Sequence, residues 1–285
     1  MSKKYLSPAK INLFLHIINK REDGYHSLQT VFQLIDLYDE LYFNIRDDGK
    51  VKRTSGNENI KEKDDLIIKA AKLLQKYTNT NKGADIKINK KIPIGAGLGG
   101  GSSNCATTLV ILNKLWQINL SKKELMKLGL SLGADVPVFI NCKTAWAEGI
   151  GDKLVPIKTN SNYFLLIFSN KSISTKEIFS HQALTMTPQE LKISNFYQNN
   201  LDLHNDCLTA AISIQSDIKE ALDWLNNCEN YIGEARLSGT GSCVFIEFKK
   251  RIEAEKSLKK IPSKWNGYVQ KAIDKSPIYW DVAKR

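Results

Sequence analysis

The feature that most constrains this 285-residue chain is a cluster of five glycines between positions 95 and 101, within "IPIGAGLGGGSSNCAT" (92–107). A glycine in an ordered element costs roughly 0.5–1 kcal/mol relative to alanine, so such a cluster indicates a backbone that approaches something closely. The preceding segment "GADIKINKKIPI" alternates like a strand, and the following "SSNCATTLVILNKLW" is typical of a helix. The pattern predicts a strand, a glycine loop and a helix N-terminus in succession.

Three kinds of phosphate-binding loop compete for this segment. A Walker A loop requires a lysine after the glycines, and none follows them here. Gly95, Gly97 and Gly100 match the dinucleotide fingerprint, but the chain then continues into helical sequence instead of returning to a strand. The third kind binds phosphate oxygens through backbone N–H groups at a helix N-terminus, where Ser102 and Ser103 would add hydroxyls. The alternative is a flexible turn in which one serine is a plain N-cap.

The rest of the chain alternates between strand and helix patterns. Strands are predicted at Tyr5–Ile18, with Lys10, Asn12 and His16 on one face, in "TVFQLIDLYDELYFNIR", and at Tyr163–Ser169. Helices are predicted at Asp64–Tyr77 and in "SKKELMKLGLSLG", which opens with a capping box. We place a boundary near residues 155–160, which gives two domains, 1–157 and 158–285.

Composition indicates a cytoplasmic globular protein. Hydrophobic residues make up 42% and charged residues 25% of the chain, and no apolar run approaches the roughly 20 residues of a membrane helix. The N-terminal segment does not resemble a signal peptide. Five scattered cysteines form no CxxC pair, and the histidines His16, His181 and His204 suggest no cluster. We therefore expect reduced cysteines, no membrane partner and no tightly bound metal.

The net charge of +11 could indicate a nucleic-acid partner, but its distribution argues otherwise. Residues 249–285 hold eleven Lys/Arg and four Asp/Glu, a balance of 11 − 4 = +7. Most are lysines on amphipathic segments, without the arginines and aromatics of a base-reading surface. We expect a solvated basic face that can attract a polyanionic small molecule, and no nucleic-acid partner.

Five motifs in order, "PAKINLFLHI", "DGYHSLQTVFQ", "PIGAGLGGGSSNCAT", "LGADVPVFI" and "LSGTGSCVFIEF", resemble those of the GHMP kinases, which phosphorylate small molecules such as galactose, homoserine and mevalonate. They span residues 8–248. The resemblance implies an α/β (α+β) fold in two lobes, the first like the second domain of a ribosomal protein and the second ferredoxin-like. It also implies ATP with Mg²⁺ as co-substrate, and the triple glycine and "DGYH" point to the branch whose acceptor carries a cytidine diphosphate group.

Two residues would carry the chemistry. Asp135 precedes Val136-Pro137, a position that equally suits a helix N-cap. Lys10 is unusual within an apolar strand unless its ammonium has a partner or reaches solvent, and an edge-strand lysine is the alternative. The resemblance implies that Asp135 is the catalytic base and that Lys10 lies beside it and orients the substrate hydroxyl.

The resemblance also assigns binding residues. Tyr25 and His26 would hold cytosine, Phe179 would complete the sandwich although its surrounding "SNKSISTKEIF" departs from the family pattern, and Asn12 would face the substrate with Lys10. A second glycine motif would pack near the substrate diphosphate through Gly239, Thr240 and Gly241, with a tight turn before a strand as the alternative. For ATP we expect the set Gly95, Gly97, Leu98, Gly99, Gly100, Gly101, Ser102, Ser103 and Leu66. Asp65 is not assigned, because the family commonly has asparagine there.

Two other functions stay open at this point. One is another GHMP activity, such as a homoserine or mevalonate kinase, against which "DGYH" and the triple glycine argue. The other is a non-catalytic nucleotide- or RNA-binding protein, which would have no need of both Lys10 and Asp135. The sequence leaves the oligomeric state and the magnesium ligands undetermined.

Overall fold

The computed structural model describes residues 3–56, 60–169, 171–197 and 203–279. The strands are β1 Lys4–Lys20, β2 His26–Arg46, β3 Val51–Ser55, β4 Gly83–Asn89, β5 Ala145–Glu148, β6 Lys153–Pro156, β7 Tyr163–Phe168, β8 Tyr231–Leu237, β9 Val244–Phe248 and β10 Asn266–Ile273. The helices are α1 Leu66–Thr78, α2 Gly100–Leu115, α3 Lys122–Leu130, α4 Val136–Asn141, α5 Thr175–Ser180, α6 Ile193–Phe196, α7 Leu208–Ile214, α8 Asp217–Asn226 and α9 Arg251–Leu258.

Strand β2 organises the sheet because its 21 residues are long enough to pair with four other strands. It pairs with β1 along most of its length, with β5 at Thr30–Phe32, with β10 at Leu34 and Ile35, and with β4 at Glu40–Arg46. The main path of the sheet runs β3-β4-β2-β10-β7-β9-β8. Among the described strands, only β3 and β4 pair in parallel.

Three clusters of buried side chains stabilise this sheet. The first lies between β2, β4 and helices α1–α4, and the second lies between β7, β9 and helices α7–α9. The third joins β1, β2, the glycine loop, β7 and β9 in the middle of the molecule. The mixed α/β class is thereby confirmed. The boundary between residues 157 and 158 stays a prediction, and Ile278 near the chain's end packs into the first cluster.

Most predicted elements are confirmed, with three differences. β1 is buried on both faces, so Lys10, Asn12 and His16 do not reach solvent, and its backbone also donates hydrogen bonds to Leu98 in the glycine loop and to His204. β4 ends at Asn89, so "KKIPI" is not strand. α2 begins at Gly100, and its N-cap is Gly99 in the left-handed region at φ 69°, so neither serine is the N-cap. The capping box of α3 joins Ser121 and Glu124 as expected.

Within the described ranges, no helix combines the length and the apolar character needed to cross a bilayer.

Candidate functional site

The glycine loop needs glycine for both conformation and space. Gly95, Gly97 and Gly99 have φ values of 68°, 73° and 69°, in the left-handed region that other residues rarely adopt. A Cβ on Gly97 would lie 2.3 Å from the carbonyl oxygen of Ser238. The first glycine loop is therefore pressed against the second glycine motif, with no room for a side chain at their contact.

Lys10 is the buried cation of the site. Only 3% of the residue is exposed, because the glycine loop covers β1 here and Leu98 O accepts the Lys10 backbone N–H at 3.0 Å. Its ammonium donates to Asn12 Oδ1 at 2.7 Å and to Gly97 O at 3.0 Å. β1 does pair with β2 alone among the described strands, but the Lys10 ammonium is buried instead of reaching solvent. The side chain instead connects the strand to the glycine loop.

Asp135 lies opposite this ammonium. Its Oδ2 is 3.3 Å from Lys10 Nζ, and a third of its side chain is exposed. Asp135 does occupy the N-cap position of α4, with Pro137 in the first turn, but its side chain accepts no capping hydrogen bond from the described residues. The carboxylate is thus directed toward Lys10 instead of the helix it precedes.

These groups line one cavity of about 960 Å³. The cavity brings together all but one of the predicted site residues: Lys10, Asn12, Tyr25, His26, Leu66, Gly95, Gly97, Leu98, Gly99, Gly100, Gly101, Ser102, Asp135, Phe179, Gly239, Thr240 and Gly241. The loop, the Lys10–Asp135 pair and the predicted cytosine residues therefore share one space, although they come from positions 10 to 241.

The exception is Ser103, which is fully buried behind the loop. Its hydroxyl lies 2.7 Å from Ser7 Oγ on β1, and its backbone N–H donates to Gly99 O within the helix. Successive residues of a helix point about 100° apart, so only Ser102 of the two serines faces the cavity. The prediction that Ser103 offers a hydroxyl to phosphate is corrected accordingly.

The far end of the cavity is aromatic. Tyr25 is on the tight turn between β1 and β2 and is 58% exposed. The rings of His26 and Phe179 stack with centroids 5.2 Å apart. Burial, and secondarily the charge of Lys20, lowers the pKa of His26 from its ordinary 6.5, so its imidazole is neutral at pH 7.

The second glycine motif closes the side of the cavity facing α5. Asn205 Nδ2 donates to Gly239 O at 2.9 Å, and the hydroxyls of Thr240 and Thr175 lie 3.2 Å apart. A Cβ on Gly239 would be 3.3 Å from both Lys10 Nζ and Asn12 Oδ1. This motif is therefore more than a turn, because it packs directly on the Lys10 ammonium.

Asp65 has a structural partner that the sequence did not reveal. Its carboxylate accepts from Ile67 N at 2.9 Å as the N-cap of α1, and it forms an ion pair with Arg53 of β3. Leu66, the next residue, lines the cavity as expected. The carboxylate is thus neutralised and hydrogen-bonded at the place where the family commonly has asparagine.

Sequence reasoning missed several polar residues that line the cavity: Lys20, Lys90, Asn104, Thr175 and Lys176. Lys90 belongs to a segment whose alternation predicts strand, and Lys176 follows directly on Thr175 in the segment that departs from the family pattern. His16 and His204, which show no relation in the sequence, lie with ring centroids 4.3 Å apart. Local sequence patterns carry no signal for these residues, because each of them reaches the cavity or its partner only through the fold.

Comparison with known proteins identifies the class. Residues 65–143 match the GHMP kinases N terminal domain, and residues 191–267 match the GHMP kinases C terminal model. The chain belongs to the GHMP kinase family, and it is a kinase that uses ATP to phosphorylate a small molecule.

Individual relatives indicate one branch of this family. The chain is 58% identical to the 4-diphosphocytidyl-2-C-methyl-D-erythritol kinase of Ruthia magnifica subsp. Calyptogena magnifica, with both chains covered completely. A crystal structure of 4-(cytidine 5'-diphospho)-2C-methyl-D-erythritol kinase superimposes with a TM-score of 0.80 at 26% identity, covering 95% of this chain and 99% of the other. The mevalonate kinase of Methanococcus jannaschii shares the fold, with a TM-score of 0.69 at 19% identity, covering 96% and 99% of the two chains.

Proposed function

We propose that this protein transfers the γ-phosphoryl group of ATP to the 2-hydroxyl of 4-diphosphocytidyl-2-C-methyl-D-erythritol, giving the 2-phosphate and ADP, in the non-mevalonate isoprenoid pathway. The observation that carries this proposal is the arrangement of one cavity. A glycine loop and the Lys10–Asp135 pair lie at one part of it, and the aromatic residues Tyr25, His26 and Phe179 lie at another. The identity to relatives of that name over their full length supports the same acceptor.

Lys10 fixes the geometry of the transfer. An ammonium has three N–H donors, and those of Lys10 face Asn12 Oδ1, Gly97 O and Asp135 Oδ2 at 2.7, 3.0 and 3.3 Å. The charge is therefore held between the phosphate loop and the carboxylate. Asp135 would accept the hydrogen bond of the substrate hydroxyl, aim its oxygen at the γ-phosphorus and take up its proton. A loose transition state depends more on this positioning than on the strength of the base.

The glycine loop would stabilise the charge of the phosphates. Its backbone N–H groups and the N-terminus of α2 form an anion-binding seat, and 16 residues of helix follow. Mg²⁺ would enter with ATP, mostly held by phosphate oxygens. Ser102 fits a role toward that ion, because it is in the first turn of α2 and lines the same cavity as Asp135.

The cytidine end would select the acceptor. Tyr25 offers an exposed ring face, the half-buried Phe179 stacks on His26, and neutral His26 can hydrogen-bond the edge of the base. Stacking of a base on an aromatic side chain is worth about 1–3 kcal/mol in nucleic-acid complexes. Thr175 and Thr240, whose hydroxyls are in contact, line the same cavity, and the diphosphate would lie beside them.

The direct test is ADP release with Mg-ATP and the cytidyl alcohol, with homoserine and mevalonate offered separately. We expect turnover of the cytidyl alcohol alone, with competitive inhibition by CDP. Turnover of homoserine or mevalonate instead would assign the chain to that branch of the family. Salt-dependent RNA binding without ADP release from any acceptor would favour the non-catalytic alternative.

The Asp135→Asn variant tests the catalytic assignment. Loss of a positioned acid–base group costs about 10²–10⁴ in turnover, so we expect a fall in this range with ATP affinity changed less than twofold. Asp223→Asn is the control, since Asp223 is an exposed carboxylate paired with Lys219 on α8, outside the cavity. Equal activity of Asp135→Asn and the wild type would remove Asp135 from the mechanism.

A further inference from the structure

A buried carboxylate lies behind the glycine loop, and the reaction outlined above makes no use of it. Asp39 of β2 is 0% exposed. Its Oδ1 accepts the backbone N–H groups of Lys91 and Ile92 at 2.7 and 2.8 Å. Its Oδ2 accepts from Asn104 Nδ2 at 2.9 Å and from the ammonium of Lys90. A buried carboxylate is tolerated only when its charge is compensated in this way, and here four donors surround it.

The four donors come from the two ends of the phosphate loop. Lys90, Lys91 and Ile92 directly precede it, and Asn104 is in the second turn of α2, just after it. One carboxylate therefore holds the entry and the exit of the loop together. The distance between these ends determines where the intervening N–H groups point, because the loop itself contains glycines that impose little conformation of their own.

The same network reaches the strand that carries Lys10. Asn104 Nδ2 also donates to Ser7 Oγ at 3.1 Å, and Ser7 is three residues before Lys10 on β1. On the other side, Lys90 lines the cavity, and its Nζ is 2.8 Å from where a Cβ on Gly100 would be. The network thus spans from β1 to the first residue of α2 and ends at a cation beside the expected phosphates.

We propose that Asp39 is a positioning residue of the phosphoryl transfer. It fixes the span of the glycine loop and the first turns of α2 against β1, so that the loop N–H groups and Lys10 meet the same phosphate group. The inference rests on the proposed role of the loop in binding ATP. It does not depend on which alcohol is phosphorylated.

The test is Asp39→Asn. The amide keeps the shape and keeps one oxygen for Lys91 and Ile92, but it presents hydrogens to Lys90 and Asn104, which are donors themselves. We expect KM for Mg-ATP and the Kd of β,γ-imido-ATP, measured by calorimetry, to rise at least tenfold. KM for the alcohol should change less than twofold. Asp85→Asn is the matched control. Asp85 lies on the neighbouring strand β4, its carboxylate is 2.9 Å from Arg46 of β2, and it does not line the cavity.

A reciprocal variant separates positioning from general stability. Asp39→Asn combined with Asn104→Asp restores a donor–acceptor pair between the two side chains, and we expect it to recover part of the ATP affinity. A lower melting temperature of Asp39→Asn with unchanged KM and Kd for the nucleotides would overturn the proposal. If Asp39→Asn does not fold, Asn104→Ala releases only the exit of the loop. It should then raise KM for Mg-ATP about threefold, and an unchanged KM would likewise overturn the proposal.

The measurement of β,γ-imido-ATP binding also distinguishes this inference from the proposal about the acceptor. Loss of β,γ-imido-ATP affinity in Asp39→Asn supports the positioning role whether or not the cytidyl alcohol is turned over. A wild-type protein that binds the analogue but phosphorylates a different alcohol would contradict the acceptor and leave the role of Asp39 intact.

Discussion

The two ends of the cavity differ in whether backbone or side chains line them. The nucleotide end, which is proposed to bind ATP, consists mainly of backbone, in a loop whose glycines leave little room for side chains, as Gly97 does against Ser238. The acceptor end, which is proposed to bind the cytidine group, presents mainly side chains, with Tyr25 on an exposed turn and Phe179 on the six-residue helix α5. Triphosphate is common to every family member, whereas the acceptor differs between them. The proposed sites therefore assign the shared ligand to backbone geometry and the particular one to replaceable side chains.

This difference predicts that the same substitution has unequal effects at the two ends. Gly97→Ala places a Cβ 2.3 Å from Ser238 O and 2.9 Å from Gly241 O in a left-handed backbone conformation. Overpacking and strain of this kind each cost about 1–3 kcal/mol, and the loop must shift to relieve them. We expect kcat/KM for Mg-ATP to fall at least about 100-fold, which corresponds to roughly 2.7 kcal/mol.

Gly24→Ala is the matched substitution at the acceptor end. Gly24 also has a positive φ, of 85°, but nothing lies within 4 Å of the position that a Cβ would occupy, so only backbone strain remains. We expect kcat/KM for both substrates to stay within about threefold, which is less than about 1 kcal/mol. Steady-state kinetics on both variants checks this, and similar losses in the two would erase the proposed distinction between the ends.

The second prediction concerns the acceptor end alone. Phe179→Ala removes one face of the proposed cytosine site, and base stacking worth about 1–3 kcal/mol corresponds to a KM increase of roughly 5- to 150-fold for the cytidyl alcohol. KM for Mg-ATP should not change. Phe196→Ala provides the control, because Phe196 packs on Phe14 and Trp146 outside the cavity. That variant should lower the melting temperature and leave both KM values unchanged, whereas an unaltered acceptor KM in Phe179→Ala would exclude stacking there.

Sequence reasoning predicted some residues of the nucleotide end and missed others. The glycine loop could be predicted because left-handed backbone and close approach select glycine locally, and Lys10 stood out as a charge in an apolar strand. Ser103 could not be separated from Ser102, since only the direction of the helix decides which of them faces the cavity. Asp39 gave no signal, because its four donors become neighbours only after β2 packs beneath α2.

The smallest predicted effect is a pH dependence at the acceptor end, and it depends on His26. Burial, followed by the charge of Lys20, lowers the pKa of His26 from 6.5, so the folded protein binds this proton less readily than the unfolded chain does. The contribution of His26 to stability is therefore fully present above pH 6.5 and is lost as the pH falls through the lowered pKa. Over the same range, the imidazole exchanges an acceptor nitrogen for a donor and gains charge.

We therefore expect KM for the cytidyl alcohol to be constant above pH 6.5 and to rise a few-fold below it, while KM for Mg-ATP stays level. His26→Gln should abolish the rise. Lys20→Ala should move it to higher pH, because removing a neighbouring positive charge raises the pKa of the imidazole. An NMR titration of His26 in the wild type and in Lys20→Ala checks the cause directly. A rise that persists in His26→Gln would show that another group of the protein controls it.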